Sequence, residues 1–295
     1  MAYHRGSLYY AGIGDAYALP FEYRDGAYKS WGHLNDGRHY EVHPTFAATT
    51  KPGNFSDDTH RATALAVVML AKKHRLAGAF DLALLLAFEH NPDAGYSRGM
   101  RKAFERASAT ALSVGQVCSA FGKSEKSGAA MGAAVLGLLP HLDEVRDAAR
   151  LQGSITHQGS ALLAAEIAAV AMHGLYYRLC SRKTLVSWLG ANVSEPFDLT
   201  PWQGKVGSPG MESTWAAITA LVWANSLTEL LRSCVAFTGD VDTVAAIAMA
   251  LAAYSDLPDD LDLALHEGLE RGQWGREYLI RLDTKLQAHY PRPAV

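Results

Sequence analysis

A chain of 295 residues, 49% hydrophobic and 19% charged, can bury a large core as one big domain or two smaller ones. Its formal net charge of −3 and lack of any basic run argue against nucleic acid or an anionic membrane as the main partner. Cys118, Cys180 and Cys234 form no CxxC pair, so neither a disulfide framework nor a zinc site is indicated. Met1-Ala2-Tyr3-His4-Arg5-Gly6 lacks the apolar core of a signal peptide, and the apolar stretches are too short to span a bilayer. The expectation is a soluble protein of a reducing compartment, the cytoplasm, with export by a route without a cleavable signal left open.

Along the chain, helical periodicity dominates. It predicts helices over 5–18, 58–74, 79–90, 98–104, 109–120, 128–138, 143–151, 159–178, 181–190, 212–224, 226–236, 242–254, 259–269 and 274–288. Several are rich in Ala and Gly, which lets helices approach closely. β-branched alternation is scarce, so the fold class expected is all-α, a compact helical bundle. Two irregular segments interrupt it. One, 23–56, carries His33, His39, His43, Trp31 and Tyr40 and reads as a lid or as an ordinary surface loop. The other, 191–211, contains Pro196, Pro201 and Pro209. No repeat, low-complexity tract or linker divides the chain, so a single domain over 1–295 is expected.

Two acidic motifs each open a strongly apolar helix. The first is Ser56-Asp57-Asp58-Thr59 and the second Gly239-Asp240-Val241-Asp242-Thr243. Either alone reads as a helix cap, since Ser, Thr and Asp satisfy free N–H groups and complement the helix dipole. A cap needs one side-chain oxygen, however, and each motif offers two acids and hydroxyls. Four carboxylates brought together would repel unless a cation neutralised them or their pKa values rose. Such an oxygen-rich set suits a hard divalent ion such as Mg²⁺.

Gly14-Asp15-Ala16 with Glu22, then Ser56-Asp57-Asp58-Thr59, Thr156-His157 and Gly239-Asp240-Val241-Asp242-Thr243, stand in the order and approximate spacing of a known pattern. Over nearly the whole chain the sequence resembles the ADP-ribosylglycohydrolases. These include the dinitrogenase-reductase-activating glycohydrolases and the ADP-ribosylarginine and ADP-ribosylserine hydrolases. The resemblance implies an all-α domain with a binuclear Mg²⁺ centre, Mn²⁺ being a substitute. It assigns metal to Ser56, Asp57 and Asp58 on one side and to Asp240, Asp242 and Thr243 on the other. Glu22, Asp58 and Asp242 are the implied catalytic acids, the general base being open among Glu22 and the aspartates. Asp15 is expected to cap or brace the first helix.

The resemblance further implies that Ser124, Ser127 and Gly128 meet a pyrophosphate through backbone N–H groups opening a helix. A tight helix–helix contact is the alternative. His157 is implied beside ADP-ribose, with a cap or core histidine as the alternative, and Gly207-Ser208-Pro209-Gly210 beside the ribose and adenine. The implied substrate is an ADP-ribosylated protein, most naturally modified on arginine, and the product ADP-ribose. Serine-linked, nucleic-acid-linked and small-molecule conjugates stay open, as does an inactive ADP-ribose-binding or immunity protein; the family includes lens-crystallin relatives. Departures from the pattern are Ser56 for Thr, Ala18 and Thr238 for Gly, Val241 for Thr, Ser127 for Asn and Gly132 for Arg. The lost Arg removes a bidentate anion partner, for which Arg98 or Arg101 are the candidate replacements.

Overall fold

The computed structural model describes residues 5–24, 26–45 and 50–292. In chain order the helices are α1 (Ser7–Ala18), α2 (Tyr28–Trp31), α3 (Asp57–Leu70), α4 (Ala77–His90), α5 (Arg98–Ala109), α6 (Val114–Phe121) and α7 (Leu142–Thr156). They continue as α8 (Ser160–Tyr176), α9 (Leu185–Asn192), α10 (Gly210–Trp223), α11 (Leu227–Ala236), α12 (Val241–Ala252), α13 (Leu263–Gly268) and α14 (Arg276–His289). The described residues contain no strand, only isolated bridges, so the all-α expectation holds. No described helix is long and apolar enough to cross a membrane.

Small residues decide where the core lies. Every residue of α1 and of α12 is buried, and these two helices form the central pair. They touch through Gly14: a Cβ there would stand 2.4 Å from the Ala245 carbonyl oxygen. Both helices are buried along their whole length, as expected of core helices rather than amphipathic surface ones.

Two helix starts in the core are capped from afar. The N-cap of α1 is Gly6, which has no side chain to offer. Asp283, fully buried on α14, accepts instead from Leu8 N–H (3.1 Å), Tyr9 N–H (2.9 Å) and Ser7 Oγ (3.3 Å). Asp15 does the same for α3, accepting from Ser56 N–H (3.0 Å), Thr59 N–H (3.1 Å) and Thr59 Oγ1 (2.6 Å). The brace expected for the first helix is thus a brace from the first helix to the third. Burying a carboxylate is costly unless several donors meet it, and each of these has them.

Differences from the sequence reading have local causes. The stretch 128–138 is two 3-10 turns, Ser127–Ala129 and Ala133–Leu138, not one helix. Gly128, Gly132 and Gly137 weaken an α-helix there and let the backbone press on its neighbours. Cβ atoms at Gly132 and Gly137 would lie 2.6 Å from Ala62 N and 2.3 Å from Ala169 O. The break between α5 and α6 comes later than expected, because Ser113 and Gln116 form a reciprocal capping box that fixes the start of α6.

The 23–56 segment is fastened down rather than free over its described part. Trp31 stacks on Phe21 at 5.4 Å, Tyr17 Oη donates to Asn35 Oδ1, and Tyr40 Oη donates to Leu265 O. Residues 46–49 and Asp25 lie outside the described part. The 191–211 segment is anchored by Glu166 of α8, which accepts from Ser194 N–H (2.6 Å), Ser194 Oγ (2.7 Å) and Arg150 Nε (2.5 Å).

Gly14→Ala is expected to destabilise the protein by about 1–3 kcal/mol, because the added methyl meets a backbone carbonyl that cannot swing aside. Chemical denaturation of the variant against the parent chain measures it, and an unchanged midpoint would contradict the central α1–α12 contact.

Candidate active site

A cavity of about 440 Å³ opens where the N-terminal ends of α3 and α12 meet the C-terminal end of α1. It takes Ser56, Asp57 and Asp58 from α3 and its cap, and Asp240, Asp242 and Thr243 from α12 and its cap. Glu22 enters from the turn after α1, and ligand oxygens of Glu22, Asp240 and Asp242 lie within 4.8 Å of one another.

Local structure aims these groups. Ser56 caps α3 in the ordinary way: its Oγ accepts from Asp58 N–H and donates to the Asp58 carboxylate, both at 3.2 Å. The second motif is held by a short parallel bridge between Val206 and Gly239. Val206 N–H donates to Thr238 O at 3.0 Å, and Asp240 N–H to Val206 O at 3.2 Å. Gly239 is required there, since a Cβ would lie 1.8 Å from Val206 O and φ is +91°. Thr238, one of the departures, has φ of 64°, a left-handed conformation that costs a non-glycine residue about 1–2 kcal/mol. Val241 is buried and does not line the cavity. Tyr23 N–H donates to Gly239 O at 2.9 Å, tying the Glu22 turn to the second motif.

The acids are crowded and dry. Asp58 is 3% exposed and Asp242 5%, and Oδ1 of each has no hydrogen-bond partner among the described residues. Asp240 Oδ2 accepts from Ser213 Oγ at 2.7 Å. Burial, then the neighbouring Asp240, raises the Glu22 carboxyl to about 8. Burial, then Asp15, raises Asp57 to about 7, and burial raises Asp240 to about 6. Asp58 and Asp242 stand well above the ordinary carboxylate range for the same reasons. Orphaned, buried carboxylate oxygens in an all-oxygen set suit a hard cation, so the residues present fit a divalent ion.

The other sequence candidates divide. Ser124, Ser127, Gly128, His157 and Ser208 line the same cavity as the acids. Gly207 and Gly210 do not: the Gly207 N–H donates to the Glu212 carboxylate at 2.6 Å and the Gly210 N–H to Glu125 O at 3.2 Å. His157 Nδ1 is 2.7 Å from Thr156 Oγ1, and its Nε2 side faces Gly128. Burial lowers the imidazole to about 3, so it is neutral at physiological pH.

Of the arginines considered as replacements, Arg98 does not line the cavity, and Arg101 pairs with Asp93 at 3.1 Å on the surface. Arg61, which the sequence reading passed over, does line it, as do Tyr23, Tyr96, Met100, Phe104 and Lys126. One signal for Arg61 was available: it stands four residues after Asp57, on the same helix face.

These acids bind protons more tightly in the folded protein than in the unfolded chain, whose carboxylates titrate near 4. Their stabilising contribution is therefore full below about pH 4 and is lost as pH rises through the range 6 to 8. In EDTA the melting temperature should fall between pH 5 and pH 8, and Mg²⁺ should reverse the fall. Asp283, raised to about 7 by burial, adds a slope of its own. The site's share is the part that a Asp57→Asn/Asp242→Asn variant loses, and an unaltered slope in that variant would contradict it.

A family model described as ADP-ribosylglycohydrolase matches residues 4–292. Among 47 solved chains that match, one described as an ADP-ribosylglycohydrolase-related protein complex has a TM-score of 0.69 at 22% identity, covering 96% of each chain. That likeness speaks for the fold. No curated protein matches the sequence. With a family model spanning nearly its whole length, the chain belongs to the ADP-ribosylglycohydrolase family, hydrolases of ADP-ribose conjugates known for metal dependence.

Proposed function

We propose that the chain, as a single domain over 1–295, removes ADP-ribose from a modified protein side chain by Mg²⁺-dependent hydrolysis, the favoured linkage being the N-glycosidic bond to arginine. One observation carries the reading. Two helix starts about 180 residues apart in sequence deliver Asp58 and Asp242 to one cavity with an unpartnered oxygen on each. A fold has no use for such an arrangement on its own, because it leaves buried acceptors without donors. An inactive binding or immunity protein would have no need to retain it.

Two Mg²⁺ ions would be held by Ser56, Asp57 and Asp58 and by Asp240, Asp242 and Thr243, with Mn²⁺ as a substitute. When bound, they supply Lewis acidity and lower the pKa of a water. The chain's own residues do the rest. In the hydrolysis, the bond from the anomeric carbon to the arginine nitrogen breaks while water oxygen bonds to that carbon. One proton leaves the water and one reaches the departing nitrogen, so a group able to hold a proton near neutral pH is needed. Glu22, raised to about 8 and partly open to the cavity, suits that duty, with Asp58 and Asp242 as the other acids in reach. Ser124, Ser127, Gly128, His157 and the 207–210 loop are the proposed ADP-ribose side.

The protein is proposed to act in the cytoplasm on an ADP-ribosylated protein, with no membrane or nucleic-acid partner. Serine-linked or small-molecule conjugates are the alternative substrates, since the acidic floor does not itself choose among leaving groups.

The test is release of ADP-ribose from an arginine-ADP-ribosylated protein with Mg²⁺ and then with EDTA. Metal-dependent release is expected, and Asp58→Ala and Asp242→Ala should each lower turnover by more than about 100-fold, the upper range for losing a mere supporting group of a metal site. Full turnover in either variant would sink the metal mechanism. Release from a serine-linked but not an arginine-linked substrate would move the linkage and leave the reaction class standing.

A further inference from the structure

Arg61 lies on the wall of the cleft, one helical turn after Asp57, and is 4% exposed. A buried guanidinium ordinarily has a carboxylate against it and all its N–H groups occupied. Arg61 has neither. It makes no ion pair with any described residue, and its Nε finds no acceptor among them. Its one side-chain partner is Gln152 Oε1, 2.8 Å from Nη2. The other end of that amide is committed as well, Gln152 Nε2 donating to Ala129 O at 2.8 Å and Ala149 O at 3.1 Å. The amide therefore cannot turn over, and it holds the guanidinium from behind while supplying no negative charge.

The neighbouring wall explains what such a cation is for. The segment 124–128 keeps few free backbone donors. Ser124 N–H goes to Thr156 O (3.1 Å), Lys126 N–H to Ser124 Oγ (3.1 Å) and Ser127 N–H to Ser208 O (2.9 Å). The segment also opens a 3-10 turn of three residues, too short to bring a helix dipole. His157 is neutral, and Lys126 is exposed to solvent. Among the described residues Lys126 is the one other cation lining the cavity, and an anionic ligand along this wall gains from a positive charge fixed within the cleft. Arg61 is the buried cation that lines it, close enough to His157 for its charge to press that imidazole down further. Burial lowers Arg61 only to about 10, so the charge is present at neutral pH.

We propose that Arg61 is a substrate-binding residue that receives the diphosphate of a nucleoside-diphosphate sugar, Gln152 being the positioning residue that aims it. That the ligand is ADP-ribose rests on the function proposed above. The guanidinium's forked N–H groups match phosphate oxygens, and hydrogen bonds of this charged kind are among the stronger ones.

The test is calorimetric binding of ADP-ribose, ADP and adenosine to the full chain in Mg²⁺, which needs no turnover. Arg61→Met, similar in volume but uncharged, should weaken ADP-ribose and ADP by at least about tenfold and adenosine by less than about twofold. Its affinity for ADP should also fall less steeply with salt than the parent's. Arg61→Lys should recover part of the loss, having the charge without the fork. Gln152→Leu should weaken ADP by a smaller factor, because the charge stays while its aim is lost. An unchanged ADP affinity in folded Arg61→Met overturns the proposal, as does an equal loss for adenosine, which would mark a packing role. If Arg61→Met does not fold, unchanged ADP affinities in both Arg61→Lys and Gln152→Leu overturn it. A parent chain that binds neither ADP-ribose nor ADP overturns it too. A parent chain that binds both yet releases nothing from modified proteins would instead remove the hydrolase reading and leave Arg61 in place.

Discussion

Like charges repel, and the interior of this protein gathers Asp15, Glu22, Asp57, Asp58, Asp240 and Asp242 around one small volume. Most of its architecture can be read as the means of holding them there. Two helices aim their N-terminal ends at the cluster, bringing partial positive charge to meet it. α1 and α12 are pressed together at Gly14 so that both can reach the same floor. Asp15 is drawn off into hydrogen bonds with the start of α3, which turns one of the repelling groups into the clamp that fixes two of the others. The remaining acids have fewer donors, Asp240 accepting from Ser213 and Asp58 from Ser56, and burial with mutual repulsion raises their affinity for protons. An acidic cluster held this close could bind a metal ion.

The cleft is not uniformly negative, and the asymmetry has a direction. Asp240 lies on the side of Lys126, Ser127 and Ser213, whereas Asp57 lies beside Gly95, Tyr96 and Arg61. Arg61 owes its position to the same helix that carries Asp57 and Asp58, so the cation and the acids are set by one rigid element. Charges on one helix keep their spacing better than charges on separate loops.

How much of this was legible in the sequence follows from the range of the interactions. The acidic motifs and the helices behind them are local patterns, and Ser56-Asp57-Asp58 and Asp240-Val241-Asp242 could be read directly. The 128–138 segment was misread because its alanines favour a helix while its glycines serve contacts with α3 and α8, which only the folded chain reveals. Asp15 is expected from the sequence to cap or brace the first helix, and its target lies 41 residues away on the third. That Arg61 is buried with its Nε unpartnered is a property of its surroundings and leaves no mark in the sequence.

The cap that Asp283 places on α1 has a consequence for the order of events during synthesis. α1 leaves the ribosome before α14, and the carboxylate that satisfies its opening N–H groups arrives about 275 residues later. Until α14 docks, the helix that carries Asp15 has an unfinished start, and so the clamp on α3 rests on an unfinished support. The nascent chain can form local helices early, but its acidic centre is completed only when the two distant ends of the fold close on each other. For much of its translation this protein would be a set of helices whose acidic cluster is not yet assembled.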